Sequence, residues 1–300
     1  RGGGNALKLV KVRELEKHYR QFSLKKVSFE MEAGTILGII GPNGSGKTTT
    51  LQLLMDLIPS DGGEVSLFGK NYPKDTLAIR RQTGYVGEEP RFYENRSVAW
   101  TEGFVSRFYP NWDGGTFERL LNTFAINRTM KVKELSKGMK VKLSLALSLA
   151  YDPKLIILDE PTSGLDPVIR RELLETLSHI AADEEHSVIF SSHITDDIAR
   201  IADYIMFLID GEVRSLSEKD TLMANWKRIH YLSTLPDAVS SRLFSKKTTP
   251  FGSNGITNEY LAIGPMLGPS IKNQSVKIES LSLDDILLEL VRGGVTCSHC

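Results

Sequence analysis

The run Gly41-Pro42-Asn43-Gly44-Ser45-Gly46-Lys47-Thr48-Thr49 has the most specific chemistry in this sequence. It follows a short apolar run and opens a helical stretch, the context that a phosphate-binding loop needs. Glycines let the backbone curl until successive N–H groups face one phosphate. The start of the helix adds a favourable dipole. From this loop Lys47 reaches the β- and γ-phosphates, and the Thr48 hydroxyl is suited to ligate Mg2+.

A second group is Leu155-Ile-Ile-Leu-Asp159-Glu160. An apolar strand ending in two acids sets both carboxylates at the edge of a sheet, where α/β folds bind ligands. Asp159 is suited to hold Mg2+, and Glu160 to act on an attacking water as general base. A third group is Leu135-Ser136-Lys137-Gly138-Met139, just before a helix read as Lys140 to Tyr151. Ser136 stands where an N-cap belongs. Its hydroxyl, the Gly138 N–H and the helix dipole make a second anion site.

These side chains need a frame. Leu24 to Glu32 alternates, with Val27, Phe29 and Met31 on one face, and Thr35 to Ile40 suits a strand buried on both faces. A helix over Gly46 to Leu57 stops before Pro59, Asp61-Gly62-Gly63 reads as a turn, and Glu64 to Phe68 as a strand. From about Pro90 to Asp152, charged and aromatic residues mix at helical spacing, which predicts an inserted helical subdomain. Strands at Leu155 to Leu158 and Ser187 to Phe190 then alternate with helices at Pro167 to Ala182 and Ile194 to Ile201. Tyr204 to Ile209 and Glu212 to Ser215 read as a closing hairpin. Such alternation implies an α/β fold with a mainly parallel sheet covered on both faces.

The chemistry stops near residue 216. Residues 217–293 are expected to form a small C-terminal α+β domain, closed by a helix with Leu283, Ile286, Leu287 and Leu290 on one face and a Ser282–Asp285 cap. Residues 1–6 and 294–300 read as tails, the first a processed or engineered end. Only two cysteines occur, Cys297 and Cys300, with His299 between them. Three potential ligands on a chain end make a poor metal site, and the reading is an unstructured tail. The lack of core cysteines fits a reducing cytosol.

Lys plus Arg equals Asp plus Glu at 37 each. No basic excess points to nucleic acid, and no nucleic-acid partner is expected. No stretch reaches the length of about 18 to 20 apolar residues that crosses a bilayer, and no secretory signal is readable.

With those groups in order, residues from about Leu9 to Ser215 resemble the ABC ATPase family across its nucleotide-binding domain, taken as residues 7–216 with the helical subdomain at about 90–152. The phosphate loop resembles Walker A, Leu155 to Glu160 Walker B, and Leu135 to Met139 the signature sequence. Ser163-Gly164-Leu165-Asp166 resembles the D-loop, His193 the switch histidine, and Tyr19 the A-loop aromatic that stacks on adenine. The resemblance implies a P-loop NTPase fold with an antiparallel β-subdomain, and ATP and Mg2+ as cofactors. It implies two ATPase subunits packed head to tail, each ATP lying between one chain's phosphate loop and the other's signature helix. Tyr19, residues 41–49, Glu88, Ser136, Lys137, Gly138 and Asp166 are then the expected nucleotide contacts. Thr48, Glu88 and Asp159 are the expected metal ligands, and Glu160 and His193 the catalytic pair. A separate membrane permease is the implied partner, placing the chain at the cytoplasmic face of the membrane.

The sequence departs from the family at two places. Glu88 stands where the Q-loop has Gln, bringing a carboxylate towards metal and γ-phosphate. In the signature, Lys137 replaces Gly and Met139 replaces Gln, while Ser136 and Gly138 are kept. Both departures, and Tyr109-Pro-Asn-Trp112-Asp, are similar to a bacterial exporter subgroup linked to antimicrobial-peptide resistance, toxin-peptide export and acetoin utilisation. Phe92 and Tyr93 fit either the surface that receives a permease helix or the subdomain core. Trp100, Phe104 and Phe108 are read as core.

Other readings fit less well. DNA-repair and chromosome ATPases insert long coiled coils between loop and signature, and no sustained heptads occur between Thr48 and Leu135. Ribosome-associated members usually carry two ATPase domains. A P-loop kinase or GTPase leaves the signature and D-loop unexplained, and an inactive binding subunit is at odds with Glu160 and His193.

Overall fold

Short apolar runs build the centre of the molecule, seen here in a computed structural model that describes residues 8–182, 185–250, 252–268, 271 and 274–293. The expected tails at 1–6 and 294–300, with Cys297, His299 and Cys300, lie outside the described residues. The chain starts with β1 (Lys8–His18), β2 (Ser23–Glu32) and β3 (Ile36–Ile40), followed by a helix at Lys47–Leu54. Next come β4 (Gly62–Leu67), β5 (Lys70–Asn71) and β6 (Thr83–Val86), then the helical segment, then β7 (Leu155–Asp159) and β8 (Ser187–Ser192). β9 (Tyr204–Ile209) and β10 (Glu212–Glu218) close the first part.

β10, β9, β3, β8, β7 and β6 form one six-stranded sheet in that order. All are parallel except β10, which pairs antiparallel with β9. The alternation within each strand sorts side chains between two cores. Ile36, Ile40, Ile156, Leu158, Val188 and Phe190 face one side. Leu37, Ile39, Leu155, Ile157 and Ile189 face the other. Burial on both faces is why these strands lack the polar alternation of an open sheet. β2, β1, β4 and β5 form a separate antiparallel sheet that covers the second face.

The helical segment holds Val98–Val105, Gly114–Thr123 and Lys137–Leu149, packed around Phe117, Leu121, Val132 and Val141. Element ends shift from the sequence reading for local reasons. The helix read as Gly46 to Leu57 covers Lys47–Leu54, because the backbone leaves helical geometry at Met55 and Asp56. The helix read from Lys140 begins at Lys137, because Ser136 caps it by accepting the Met139 N–H at 3.2 Å.

A larger correction concerns the aromatic residues. Trp100, Phe104 and Phe108 are not core. They lie exposed with Tyr93 along the outer side of Val98–Val105 and the turn after it. Tyr93 meets Trp100 edge-on at 5.3 Å, Trp100 and Phe104 stack at 5.4 Å, and Phe104 meets Phe108 at 5.4 Å. The Arg96 guanidinium lies 5.0 Å from the Trp100 ring centre. Phe92 packs against the core instead. Smaller residues such as Val98 and Val132 fill the interior, leaving these rings outside.

The C-terminal part contains β11 (Lys227–Tyr231), β12 (Phe244–Thr249), β13 (Gly252–Thr257) and β14 (Val276–Ser280), in the order β12-β13-β11-β14. The helix Leu283–Val291 begins at Ser282, which forms the expected reciprocal cap with Asp285. Leu222, Trp226, Ile256, Leu281, Ile286 and Leu290 join the same apolar cluster as Ile198, Ile201 and the central sheet. The C-terminal part therefore joins the central core through these residues, while Ile229, Val239, Ile263 and Leu267 belong to a separate cluster of its own.

Candidate active site

Parallel strands bring the separate motifs to one edge. β3 runs into Gly41, β7 ends at Asp159, β8 ends at Ser192 just before His193, and β6 ends at Val86 just before Glu88. In register, Ile40 pairs with Ser192, and Asp159 with Ser191. The C-terminal edge of a parallel sheet is where α/β folds bind ligands. Here a cleft is lined by residues 43–49, Glu88, Glu160, Ser163, His193 and Phe22.

The loop's glycines have distinct reasons. A Cβ on Gly41 would lie 2.1 Å from the Leu208 carbonyl oxygen, so only glycine fits against β9. Gly46 has φ +105, and a Cβ there would lie 2.7 Å from the Phe22 ring. The loop closes through Ser45 N–H to Pro42 O at 3.1 Å, and Ser45 O accepts the Gly211 N–H at 3.1 Å.

Lys47 is almost fully buried and folds back on its own loop, donating to Gly41 O at 2.8 Å and Pro42 O at 3.3 Å. Its Nζ also lies 3.2 Å from Glu160 Oε1. Glu160 Oε2 receives the His193 N–H at 3.2 Å and faces His193 Nδ1 at 2.7 Å. Glu160 adopts φ +47, a conformation rare for a non-glycine residue, which turns the chain sharply after β7. One carboxylate thus joins the cation of the loop to the histidine of the next strand. All three groups line the same cleft.

Asp159 lies below them. It accepts from Thr48 Oγ1 at 3.1 Å and from Ser191 Oγ at 2.8 Å. Burial pushes its carboxyl above the ordinary carboxylate range, and the two hydroxyl donors only partly oppose this. A buried carboxylate beside a hydroxyl is the setting that a divalent cation relieves. Glu88 lines the cleft with Thr48, and an adjoining groove with Thr48 and Asp159. These are hard oxygen donors, so the set fits Mg2+. Among the described residues no group of three or more His, Cys, Asp or Glu forms an all-protein metal cage.

Sequence reasoning missed two residues. Ser191 links Asp159 to Glu160, since its Oγ also accepts the Glu160 N–H at 3.0 Å. Its only signal was a polar residue ending a buried strand. Phe22 lines the cleft and stacks against Tyr19, ring centres 6.4 Å apart. Tyr19 itself is 47% exposed and does not line the cleft.

Ser136, Lys137, Gly138 and Asp166 do not line this cleft. Lys137 faces a groove with Glu89, Phe92 and Lys140. A Cβ on Gly138 would lie 3.0 Å from Ile169 and 3.4 Å from Leu165, so the segment packs on the helix Pro167–Ala181. Within this chain Asp166 caps that helix, accepting from Val168 N–H at 3.0 Å and Ile169 N–H at 3.1 Å.

Comparisons with known proteins agree with the fold. A family described as ABC transporter matches residues 24–163. The ABC transporter ATP-binding protein YtrB of Bacillus subtilis (strain 168) is 36% identical over 209 residues, 69% of this chain and 70% of that protein. The lantibiotic transport ATP-binding protein SrtF of Streptococcus pyogenes is 34% identical over 71% of this chain and 92% of its own length. A solved ATP-binding subunit of an ABC transporter superposes with TM-score 0.65 at 28% identity, over 71% of this chain and 91% of that one.

Proposed function

This chain belongs to the ABC transporter ATP-binding family, whose members are ATPases that power transport, and on that premise we propose that its cleft is half of an ATP site completed by a second ATPase subunit. The observation that carries this reading is the separation of two anion-binding segments. Residues 43–49 of the loop line the cleft, while Ser136 caps a helix that does not reach it. Head-to-tail pairing brings the Ser136–Gly138 segment of one chain onto the γ-phosphate held by the other.

Within that site the roles follow from the distances. Incoming β- and γ-phosphates draw Lys47 away from Gly41 O and Glu160, exchanging one set of partners for another. Glu160, released from Lys47, accepts a proton from the attacking water. His193 stays beside it, 2.7 Å away, and orients water and γ-phosphate. Thr48, Asp159 and Glu88 are the residues that would hold Mg2+, which would supply charge neutralisation at the phosphates. Phe22, at the cleft, offers an aromatic face to the adenine with Tyr19 stacked beside it, and Lys137 and Asp166 stay near the dimer junction.

ATP favours the closed pair because its γ-phosphate touches both chains, and hydrolysis removes that bridge. Among the described residues no helix is long and apolar enough to cross a membrane. A separate permease at the cytoplasmic face of the membrane would convert closure into movement of cargo. The relative named for lantibiotic transport supports peptides or antimicrobial compounds as cargo, and the exporter-like signature at Lys137 and Met139 supports outward movement. Residues 7–216 form the ATPase unit in this reading, and 217–293 an accessory unit.

The test is the mass of Glu160→Gln with saturating MgATP, followed by light scattering with and without the permease. A nucleotide-dependent dimer is expected. A chain that binds ATP yet stays monomeric in both conditions overturns the composite site.

A further inference from the structure

The residues just after His193 are fixed from outside the ATPase cleft. Thr195 opens the helix Thr195–Ile201, and its buried hydroxyl donates to Asp284 Oδ1 at 2.8 Å. Asp284 sits in the first turn of Leu283–Val291, the closing helix of the C-terminal part. A carboxylate there is favoured by the helix dipole, and the Ser282–Asp285 cap fixes the turn that carries it. The two helices also share apolar packing, with Ile198 and Ile201 in one cluster with Leu283, Ile286 and Leu290.

The intervening residues have little freedom. His193 is bonded to Glu160 through its backbone and ring. The Ile194 N–H donates to Ser192 Oγ at 3.0 Å. Farther along, Asp197 is buried and accepts from Arg170 Nε at 2.6 Å, tying the same short helix to Pro167–Ala181. The helix after His193 is therefore held on one side by Arg170 and on the other by Asp284.

We propose that Asp284 is a positioning residue for hydrolysis: through Thr195 it sets where His193 stands, so the C-terminal part tunes turnover. The inference rests on the reading of His193 given above. Asp284 does not line the cleft. Removing it strands a buried hydroxyl and frees the start of the helix, so His193 samples more positions while the phosphate loop is untouched.

The experiment uses the full chain and measures kcat, KM for ATP and ADP affinity. Asp284→Ala is expected to lower kcat by about ten-fold, the order for loss of one charge-assisted hydrogen bond. KM and ADP affinity should stay within about two-fold, since uniform binding is not altered. Asp284→Asn, whose amide oxygen can still accept, should recover most of the rate. Thr195→Val should reproduce the loss, and Asp284→Ala with Thr195→Val should be no worse than either alone. In a His193→Ala background, Asp284→Ala should have no further effect. Unchanged kcat in Asp284→Ala overturns the inference, as does an additive loss in the His193→Ala background. If His193→Ala alone leaves kcat unchanged, the reading of His193 fails instead.

Discussion

Glu160 and His193 meet through a single oxygen. Glu160 Oε2 takes the histidine backbone N–H at 3.2 Å and its ring nitrogen at 2.7 Å, while the other oxygen lies 3.2 Å from Lys47. The carboxylate that the mechanism needs free is thus fully engaged before a nucleotide arrives. In the proposed mechanism, phosphate binding and release of Glu160 from Lys47 would be one event.

Replacing Glu160 by Gln removes the proton acceptor and keeps the shape. Turnover should fall by about 10^2- to 10^4-fold, the usual share of general base catalysis. ATP affinity should hold or rise, because Lys47 loses its anionic partner. Steady-state kinetics beside equilibrium nucleotide binding checks both halves.

Asp159 carries a stability cost that depends on pH. Its ionised form is penalised by burial, so the folded carboxyl titrates above its unfolded counterpart. Stability from this group falls as pH rises through that raised value, and the full cost is present above it. Asp159→Asn should therefore melt higher than the parent at neutral pH without nucleotide, with the gain fading below the ordinary carboxylate range. The same variant should lose Mg2+-dependent hydrolysis. Thermal melts across pH, paired with ATPase rates, decide it.

Ser191→Ala should harm both fold and function. The hydroxyl is fully buried and serves Asp159 and the Glu160 N–H together. Leaving those groups unmatched costs about 1–3 kcal/mol. The urea midpoint should drop accordingly, and kcat should fall with it, because the peptide that aims Glu160 loses its anchor.

The aromatic series Tyr93, Trp100, Phe104 and Phe108 is surface, with Phe108 59% exposed. Exposed apolar patches mark partner sites. Changing Trp100 and Phe104 to Ala should cost no more than about 1.5 kcal/mol, the scale of an aromatic pair. Basal ATPase activity should remain, and co-purification with the membrane partner should fail. Retained binding to that partner would assign the rings to another role.

Much of the site was legible because strand ends and loops carry it in short segments. Gly41 to Thr49, Asp159, Glu160 and His193 all lie where apolar runs stop, and a parallel sheet brings such stops to one edge. Ser191 and Phe22 were not legible, since their roles depend on what faces them across strands and not on neighbours in sequence. The aromatic series failed for a related reason. Helical spacing at Trp100, Phe104 and Phe108 says that the rings share a side, not whether that side faces the interior. The helix-capping role of Asp166 was not read from the sequence, because a cap and a nucleotide contact ask for the same residue before a helix.

The joined core has a practical meaning for anyone shortening the chain. A cut near residue 217 follows the end of the nucleotide motifs, yet it strips Leu222, Trp226, Ile286 and Leu290 from Ile198 and Ile201. The fragment would show water an oily scar directly behind the helix that follows His193. The seam visible in the motifs is not the seam at which the molecule can be taken apart.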